Sequence, residues 1–236
     1  MRALVLHHAA GCALSQAVGI GLAEKGLEHE VWTVDVAAFA QCEPAFLVLN
    51  PAGQAPVLEA DGAPLTDAFF ILFYLDERFP HPPLGGSDPV VRYRVQAIGQ
   101  MVERAVAPNL ALLEWVANPG PAPSAEALAR LPDERRALWA KAIAGFSVAE
   151  VTAADVGLAR ALDDCEQWLA VHPWLAGADF TIADILLFPL VDRLDEAMRG
   201  PALREWRARI AARPAVAALE AEAPVVTMGP ERGRWG

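Results

Sequence analysis

The hydrophobic positions of this 236-residue chain change their spacing near residue 80. Before that point, apolar runs of strand length alternate with a segment that has the 3.6-residue period of a helix. The pattern predicts a strand at residues 3–6, a helix at 14–25 that ends at Gly26, and a second strand at 30–36. This order of strand, helix and strand predicts a right-handed crossover unit.

Residues 50–80 contain several amino acids that restrict the backbone. The run Asn50-Pro51-Ala52-Gly53 predicts a turn, because proline fixes φ and glycine permits positive φ. Pro56 must lie at the start or the edge of the short strand predicted at 57–59, since it has no N–H to donate inside a sheet.

A hairpin and an apolar helix follow. Asp61-Gly62 is a two-residue hairpin signal that returns the chain as a strand at 63–65. Asp67 precedes a helix predicted at 68–75, and Pro80 closes it. The first part of the chain therefore predicts one small α/β domain.

Beyond this domain the spacing is helical throughout. Proline and glycine dominate residues 81–89, which predicts a linker, and a second proline-rich interruption covers 117–124. Helices are predicted at residues 90–116, 125–139, 151–171, 181–199 and 202–212, with a short piece after Pro214. We therefore predict a first domain at 1–80, a linker at 81–89 and an all-helical second domain at 90–236.

Composition restricts the classes of function. The formal net charge of −11 disfavours nucleic acid, which needs a basic face to displace counterions. No apolar run approaches the roughly eighteen residues of a membrane span. Three cysteines in a long chain argue against a disulfide framework and for a reducing compartment. We expect a cytoplasmic protein that binds neither nucleic acid nor a membrane.

Two residue pairs suggest chemistry at first sight. His7 and His8 are neighbours on a strand and point to opposite faces, so they cannot hold one ion together, and we expect no metal. Thr181 and Asp184 form a capping box, in which each side chain binds the backbone N–H of the other residue. Asp184 is therefore interpreted as a folding residue.

Three stretches resemble the glutathione S-transferase family. Residues 50–62, NPAGQAPVLEADG, and 66–80, TDAFFILFYLDERFP, are similar to that family's proline-containing strand and the helix after it. Residues 172–184, HPWLAGADFTIAD, are similar to the start of its second-domain core helix. The resemblance covers nearly the whole chain and implies a thioredoxin-like α/β N-terminal domain followed by an all-α helical bundle domain.

The resemblance also implies that Gln54, Ala55, Pro56, Asp67 and Ala68 contact glutathione. Ala55 would offer its backbone N–H and C=O to the cysteinyl part, and we expect its bond to Pro56 to be cis. Members usually carry an acidic residue and then a serine at the helix start, where the hydroxyl and N–H groups bind the γ-glutamyl carboxylate. Here the pair is Asp67-Ala68, so the hydroxyl is absent. The lost hydrogen bond is worth roughly 1.5–3 kcal/mol, which lowers the expected affinity for glutathione at least about tenfold.

Two residues near the first helix compete as partner of the glutathione thiolate, which the N-terminal end of a helix stabilises. Cys12 stands where some members have a serine and others a reactive cysteine, and Ser15 stands where bacterial β-etherases have a serine. Ser15 would donate a hydrogen bond during transfer onto an electrophilic carbon. Cys12 would form a mixed disulfide, as in the omega-like thiol transferases. A purely structural interpretation stays open for both: Ser15 caps a helix, and Cys12 is a small, half-buried residue.

Among subfamilies, residues 50–56, 24–28 and the inserted stretch 121–150 resemble the bacterial β-aryl etherases that use glutathione. Those enzymes attack the carbon that bears an aryloxy group beside a ketone and release a phenol. The reaction needs an apolar aromatic pocket, for which Trp115, Trp139 and Phe146 are candidates, although large aromatics in a helical domain are more often core.

The sequence also permits a function other than catalysis. The alanine at position 68 favours a transferase fold kept as a binding module, or as one subunit of a heterodimer whose partner supplies the site. By resemblance we expect a homodimer or a heterodimer, in which the first domain of one copy meets the helices of the other.

Overall fold

A computed structural model describes residues 4–86 and 88–222. Ala3, Ser87 and residues 223–236, which the sequence assigns to the first strand, the linker and the second domain, lie outside the described residues.

The N-terminal domain is built on a four-stranded sheet of order β2-β1-β3-β4. Its strands are β1 (Leu4–His8), β2 (His29–Thr33), β3 (Val57–Ala60) and β4 (Ala63–Thr66). Strand β1 pairs parallel with β2 and antiparallel with β3, and β3 pairs antiparallel with β4. Its helices are α1 (Ala13–Glu24), α2 (Pro44–Leu49) and α3 (Ala68–Arg78). This mixed sheet confirms the expected thioredoxin-like fold class.

The sequence pattern missed one element of this domain and lengthened another. Helix α2, preceded by a 3₁₀ turn at Ala40–Cys42, has only six residues, too few to show a helical period. Its start carries a usable signal, because Pro44 occupies the first helical position. Strand β2 ends at Thr33 instead of 36, and Val36 N–H bonds back to the carbonyl of Val34 where the chain turns away.

Two peptide bonds that precede proline are cis. The first, Ala55-Pro56, confirms the expectation from the sequence. The second, His81-Pro82, lies in the predicted linker and was not expected.

The second domain is helical, as expected from the spacing. Its helices are α4 (Pro89–Met101), α5 (Ala107–Ala117), α6 (Ala125–Ala129), α7 (Asp133–Ala144), α8 (Val148–Leu169), α9 (Ile182–Asp192), α10 (Pro201–Ala211) and α11 (Pro214–Glu222). No single helix in the described part of the chain is long and apolar enough to cross a membrane, and α7 and α8, which meet at 112°, satisfy that test only as a pair. The domain boundaries proposed above stay a prediction.

The helix predicted at 90–116 is interrupted by a π-helical turn at Val102–Val106. Pro108 has no N–H and cannot bond to the carbonyl four residues earlier. The helix widens before it, and Ala107 N–H bonds to the carbonyl of Val102, five residues back. Proline also explains a second difference, since Pro132 divides the helix predicted at 125–139 into α6 and α7.

Helix α1 lies in contact with β1, α3 and α9. Its buried positions include several small residues, among them Ala17 and Gly21. A Cβ atom at Gly21 would lie 2.3 Å from Leu72 Cδ2 of α3, so a side chain at this position would force Leu72 to shift. Helix α9 is apolar on all sides and almost fully buried, and one apolar core runs through both domains.

A buried lysine fixes the linker. Lys25 Nζ lies 2.5 Å from Asp76 Oδ1 and donates to the carbonyls of Phe79 and Pro82 at 2.7 and 2.5 Å. Asp76 in turn accepts the N–H of Leu84 at 2.7 Å, and the carbonyl of Leu84 accepts the N–H of the first residue of α9 at 2.8 Å. The end of α1 is thereby joined through the linker to the start of α9.

The capping box at the start of α9 is present, which confirms the structural interpretation of Asp184. The carboxylate is fully buried and accepts the Thr181 N–H at 2.9 Å on one oxygen. Its other oxygen accepts the Leu175 N–H at 3.0 Å and the Trp206 Nε1–H at 2.8 Å. Burial raises the pKa of Asp184, against the effect of these hydrogen bonds.

We predict that Asp184→Ala lowers the free energy of unfolding by about 3 kcal/mol or more, because three buried donors lose their acceptor and each costs about 1–3 kcal/mol. Asp184→Asn keeps one acceptor oxygen and should lower the free energy of unfolding by less. Urea unfolding measures both, with the exposed Asp179→Ala as control. Equal stability of the Asp184→Ala and Asp179→Ala variants would contradict the assignment.

Candidate active site

A cavity of about 580 Å³ lies between the two domains. Both domains contribute to its wall, the N-terminal domain through the starts of α1 and α3 and the segment before β3. Of the residues predicted to bind glutathione or its thiol, the structure places six on this wall: Cys12, Gln54, Ala55, Pro56, Asp67 and Ala68. The fold thus brings residues that are far apart in the sequence together in one site.

Cys12 caps the N-terminal end of α1 and is half-buried on the cavity wall. The turn before it requires Gly11 at φ +77°. Cys12 Sγ lies 3.9 Å from the carbonyl oxygen of Ala55, and it makes no cap hydrogen bond to the helix. The positive end of α1 is therefore open toward the cavity at the sulfur of Cys12.

Ser15 lies one turn deeper in α1 and does not line the cavity. It is fully buried, and its Oγ accepts the N–H of Ala9 at 3.2 Å, which holds the loop between β1 and α1. Its predicted contact with a thiolate stays a prediction.

Asp67 occupies the start of α3 with φ at +73°, a backbone conformation that side chains rarely adopt and that often marks functional sites. Its Oδ1 accepts the N–H groups of Phe69 and Phe70 at 3.0 and 3.2 Å. The N–H groups at the start of this helix were expected to bind a γ-glutamyl carboxylate, and Asp67 itself occupies these two. Within the described residues, the N–H of Ala68 is the amide of this turn left for a ligand.

Glu103 projects from the π-helical turn to the cavity, beside Asp67. Partial burial, followed by the charge and hydrogen bond of Asp67, raises the pKa of Glu103 to about 7. The carboxyl group of Glu103 is therefore partly protonated near neutral pH. Sequence reasoning missed Glu103, and Pro108 inside the predicted helix was the signal for the wide turn that presents it.

Arg193 and Glu114 form an ion pair on the part of the cavity wall that the helical domain contributes. Arg193, at the end of α9, donates from Nε and Nη2 to the two carboxylate oxygens of Glu114 at 2.8 and 2.7 Å. It also donates from Nη1 to the carbonyl of Gly11 at 2.5 Å. This pair ties α5 and α9 to the loop that carries Cys12.

The predicted aromatic pocket residues lie behind the cavity wall. Trp115 and Trp139 are buried in a small separate cluster, with ring centroids 5.6 Å apart, and Phe146 packs against it. Trp115 Nε1 donates to the carbonyl of Ala142 at 3.0 Å. Apolar residues of three helices, α5, α7 and α9, form the wall instead: Ala107, Pro108, Leu110, Ala111, Leu138, Leu186 and Leu190. Leu138 reaches the cavity because consecutive residues of a helix point in directions about 100° apart, which turns it away from the buried Trp139.

The two histidines of β1 face opposite sides. His7 Nε2 lies 2.7 Å from Glu59 Oε1, next to the ring of Trp32. The ring of His8 is hydrogen-bonded to the backbone of Ser15, and burial lowers its pKa against that hydrogen bond. Across residues 4–86 and 88–222, no three His, Cys, Asp or Glu side chains are grouped to hold a metal ion.

Comparison with known proteins agrees with this geometry. The model of the glutathione S-transferase N-terminal domain matches residues 3–77, and that of the C-terminal domain matches residues 137–214. Glutathione S-transferase 1 of Dianthus caryophyllus is 30% identical over 194 residues, which are 76% of this chain and 80% of that protein. The chain belongs to the glutathione S-transferase family. The predicted dimer and cytoplasmic location stay predictions.

Protein LigF of Sphingobium sp. strain SYK-6 is 28% identical over 226 residues, 83% of this chain and 84% of its own. The crystal structure of this β-etherase superposes with a TM-score of 0.82 at 25% identity, over 93% of this chain and 99% of that one. Maleylacetoacetate isomerase of Pseudomonas aeruginosa is 38% identical, but over 37% of this chain and 43% of its own length. The chain thus spans less than half of that relative.

We predict that wild-type stability falls relative to Glu103→Gln as pH rises from about 5 to about 8. The folded-state pKa of about 7 exceeds the ordinary value of 4.5, so the unfolded chain holds fewer protons in this range and ionisation disfavours the fold. Urea unfolding at several pH values measures the difference, with the exposed Glu77→Gln as control. A difference that does not change with pH would contradict the raised pKa.

Proposed function

We propose that this protein is a glutathione transferase that activates the glutathione thiolate for attack on an apolar, aryl-bearing electrophile. The observation that carries the proposal is the convergence of two helix starts on one cavity, with Cys12 Sγ 3.9 Å from the Ala55 carbonyl between them. The partial positive charge at the N-terminal end of α1 stabilises a thiolate bound at this point.

The same cavity provides for the other parts of the tripeptide. The backbone of Ala55 pairs with the cysteinyl unit, and the Ala68 N–H receives the γ-glutamyl carboxylate. Glu103 and Asp67, neighbours on the cavity wall, face the ammonium group of the γ-glutamyl residue. An ammonium group next to two carboxyl groups favours their ionised forms.

β-Aryl ether cleavage is the reaction we propose first. The glutathione thiolate attacks the carbon that bears the aryloxy group, the carbon–oxygen bond breaks, and the aryl oxide leaves and takes up the proton that the thiol gave up. The product is a thioether and a phenol. Likeness to the β-etherase LigF over most of the chain supports this substrate class, as does the apolar wall of α5, α7 and α9.

A second candidate is thiol transfer, which the exposure of Cys12 in the cavity favours. The Cys12 thiolate attacks the glutathionyl sulfur of a mixed disulfide and releases the substrate thiol. A second glutathione then attacks Cys12–S–SG, which frees Cys12 and forms glutathione disulfide. Glutathione is the only reductant in this cycle.

We predict that Cys12→Ala lowers cleavage of an aryl-ether ketone by less than about tenfold, because the backbone N–H groups of α1 still hold the anion. The same variant should lose all activity on a mixed glutathione disulfide, because no other group carries the covalent intermediate. Phenol release and disulfide reduction, measured on one preparation, separate the two reactions.

Ser15→Ala is the matched variant in that experiment. If Cys12→Ala keeps ether cleavage and a folded Ser15→Ala loses it, the thiolate partner is Ser15. If the wild type neither binds a glutathione column nor acts on either substrate, the enzyme proposal is wrong and the binding-module hypothesis takes its place.

We predict that Ala68→Ser tightens glutathione binding about tenfold or more. The new hydroxyl at the start of α3 adds a hydrogen bond to the γ-glutamyl carboxylate, worth roughly 1.5–3 kcal/mol for a charged acceptor. Calorimetry measures the dissociation constant. Ala111→Ser, on the helical wall of the same cavity, is the control, and an equal change in both variants would contradict the placement of the carboxylate.

A further inference from the structure

The loop at residues 9–12, between β1 and α1, carries Cys12 and borders the cavity. Ala9 is fully buried, whereas Ala10 and Gly11 are exposed. Among the described residues, a Cβ atom at Gly11 would meet no atom within 4 Å outside its own chain neighbours. Hydrogen bonds, rather than side-chain packing, therefore hold this turn.

The peptide unit between Gly11 and Cys12 is held at both ends. Its N–H, which belongs to Cys12, donates to the carbonyl of Ala9 at 3.1 Å. Its carbonyl, which belongs to Gly11, accepts a hydrogen bond of 2.5 Å from Nη1 of Arg193, a residue 182 positions further along the chain. Because a peptide unit is planar, anchors on its two sides fix its orientation. That orientation sets the direction in which the chain enters α1.

Glu114 determines where Arg193 points. The Nε and Nη2 groups of Arg193 donate to the two carboxylate oxygens of Glu114 at 2.8 and 2.7 Å. A guanidinium group is planar, so fixing two of its nitrogens also fixes the direction of the third. The two side chains are only 18% and 22% exposed, so solvent screens this pair less than a surface pair. The helical domain thus directs one N–H group of Arg193 at the loop.

The direction of the loop matters because α1 supplies the positive charge at the proposed thiolate position. Ala13 and Leu14, the first two residues of α1, line the cavity together with Cys12. The partial charge of a helix end acts within about one turn, so its effect on an anion depends on where that turn points. Rotation of the peptide between residues 11 and 12 would move the first turn relative to the Ala55 carbonyl, which lies 3.9 Å from Cys12 Sγ.

We propose that Arg193 is a positioning residue of the thiolate site, which holds the Gly11 carbonyl and so keeps the first turn of α1 directed at the bound sulfur. The inference rests on the proposed glutathione site. This role requires no contact between glutathione and either Arg193 or Glu114. The sulfur lies against the N-terminal domain, but its ionisation then depends on a residue of the helical domain.

Four variants test the inference: Arg193→Met, Glu114→Gln, the double variant Glu114→Gln/Arg193→Met, and Arg207→Met. The double variant removes the hydrogen bond to Gly11 without a change in net charge. Glu114→Gln keeps the arginine, and its amide oxygen still accepts one hydrogen bond from it. Arg207→Met is the matched control, because Arg207 donates to Asp192, the chain neighbour of Arg193, at 2.6 Å outside the cavity wall.

The first measurement is the pKa of the thiol of bound glutathione, obtained from the ultraviolet difference absorption between liganded and free protein. We expect this pKa to rise by about half a pH unit to one pH unit in Arg193→Met and in the double variant, because the helix end no longer points at the anion. Glu114→Gln should leave the pKa unchanged or lower it, because it removes a negative charge. Arg207→Met should have the wild-type pKa.

The second measurement is the pH profile of kcat with an aryl-ether ketone at saturating glutathione. In Arg193→Met and the double variant, kcat should fall about threefold to tenfold below the thiol pKa, in step with the smaller ionised fraction. It should return to the wild-type value at higher pH, where the thiol is ionised in every variant. The dissociation constant of glutathione should change less than about threefold, since the contacts of the tripeptide are kept.

A purely structural role gives a different pattern. It would lower kcat by the same factor at every pH and leave the thiol pKa at the wild-type value, which overturns the inference. A pKa that rises in Arg193→Met but not in the double variant would show an effect of charge alone and would also overturn it. If Arg193→Met fails to fold because Glu114 is left unpaired, the double variant, which lacks both charges, decides the test.

The behaviour of wild type separates this inference from the proposed function. If wild type does not bind glutathione at any pH, the proposed function is wrong and this inference is wrong with it. If wild type binds glutathione and ionises its thiol, and the double variant has the same pKa and the same pH profile, this inference alone is wrong.

Discussion

The close packing of α1 between the sheet and α9 is the constraint on which the rest of this structure depends. Small residues make it possible, since even a methyl group at Gly21 would collide with Leu72. Because α1 is fixed on both sides, its N-terminal end has one direction, and Cys12 is brought next to the carbonyl of Ala55. The site is therefore placed by the core and not by its own loops.

The charges of the site follow from the junction of the two domains. The N-terminal domain contributes Asp67, strained at φ +73° and bonded to its own helix, and the helical domain contributes Glu103 and Arg135. The helical domain alone thus brings both a carboxyl group and a guanidinium group to the cavity wall, and Asp67 adds a second carboxyl group from the N-terminal domain. The pairing of Arg193 with Glu114 holds the wall between them without adding net charge.

The sequence predicts the parts of the fold that depend on local chemistry. Pro56, Asp61-Gly62 and the Thr181–Asp184 box each act through the backbone nearby, so the strand start, hairpin and helix start could be located. The residues of the cavity depend on tertiary packing. Nothing in the run of charges around Arg135 distinguishes it from Arg136, and nothing but burial separates Trp139 from Leu138, which lines the wall in its place. Glu103 could be found only by treating Pro108 as the cause of a wider turn.

The buried lysine at the end of α1 has a consequence for how the protein holds together. Lys25 neutralises Asp76 and closes three chain segments around one ammonium group, and Asp76 passes the connection through Leu84 to the start of α9. Cutting the chain at the linker would separate Lys25 from the segment that leads to α9, the helix that covers α1. The sequence changes its periodicity at this linker, but one apolar core runs across it, and we therefore expect the two halves to unfold together.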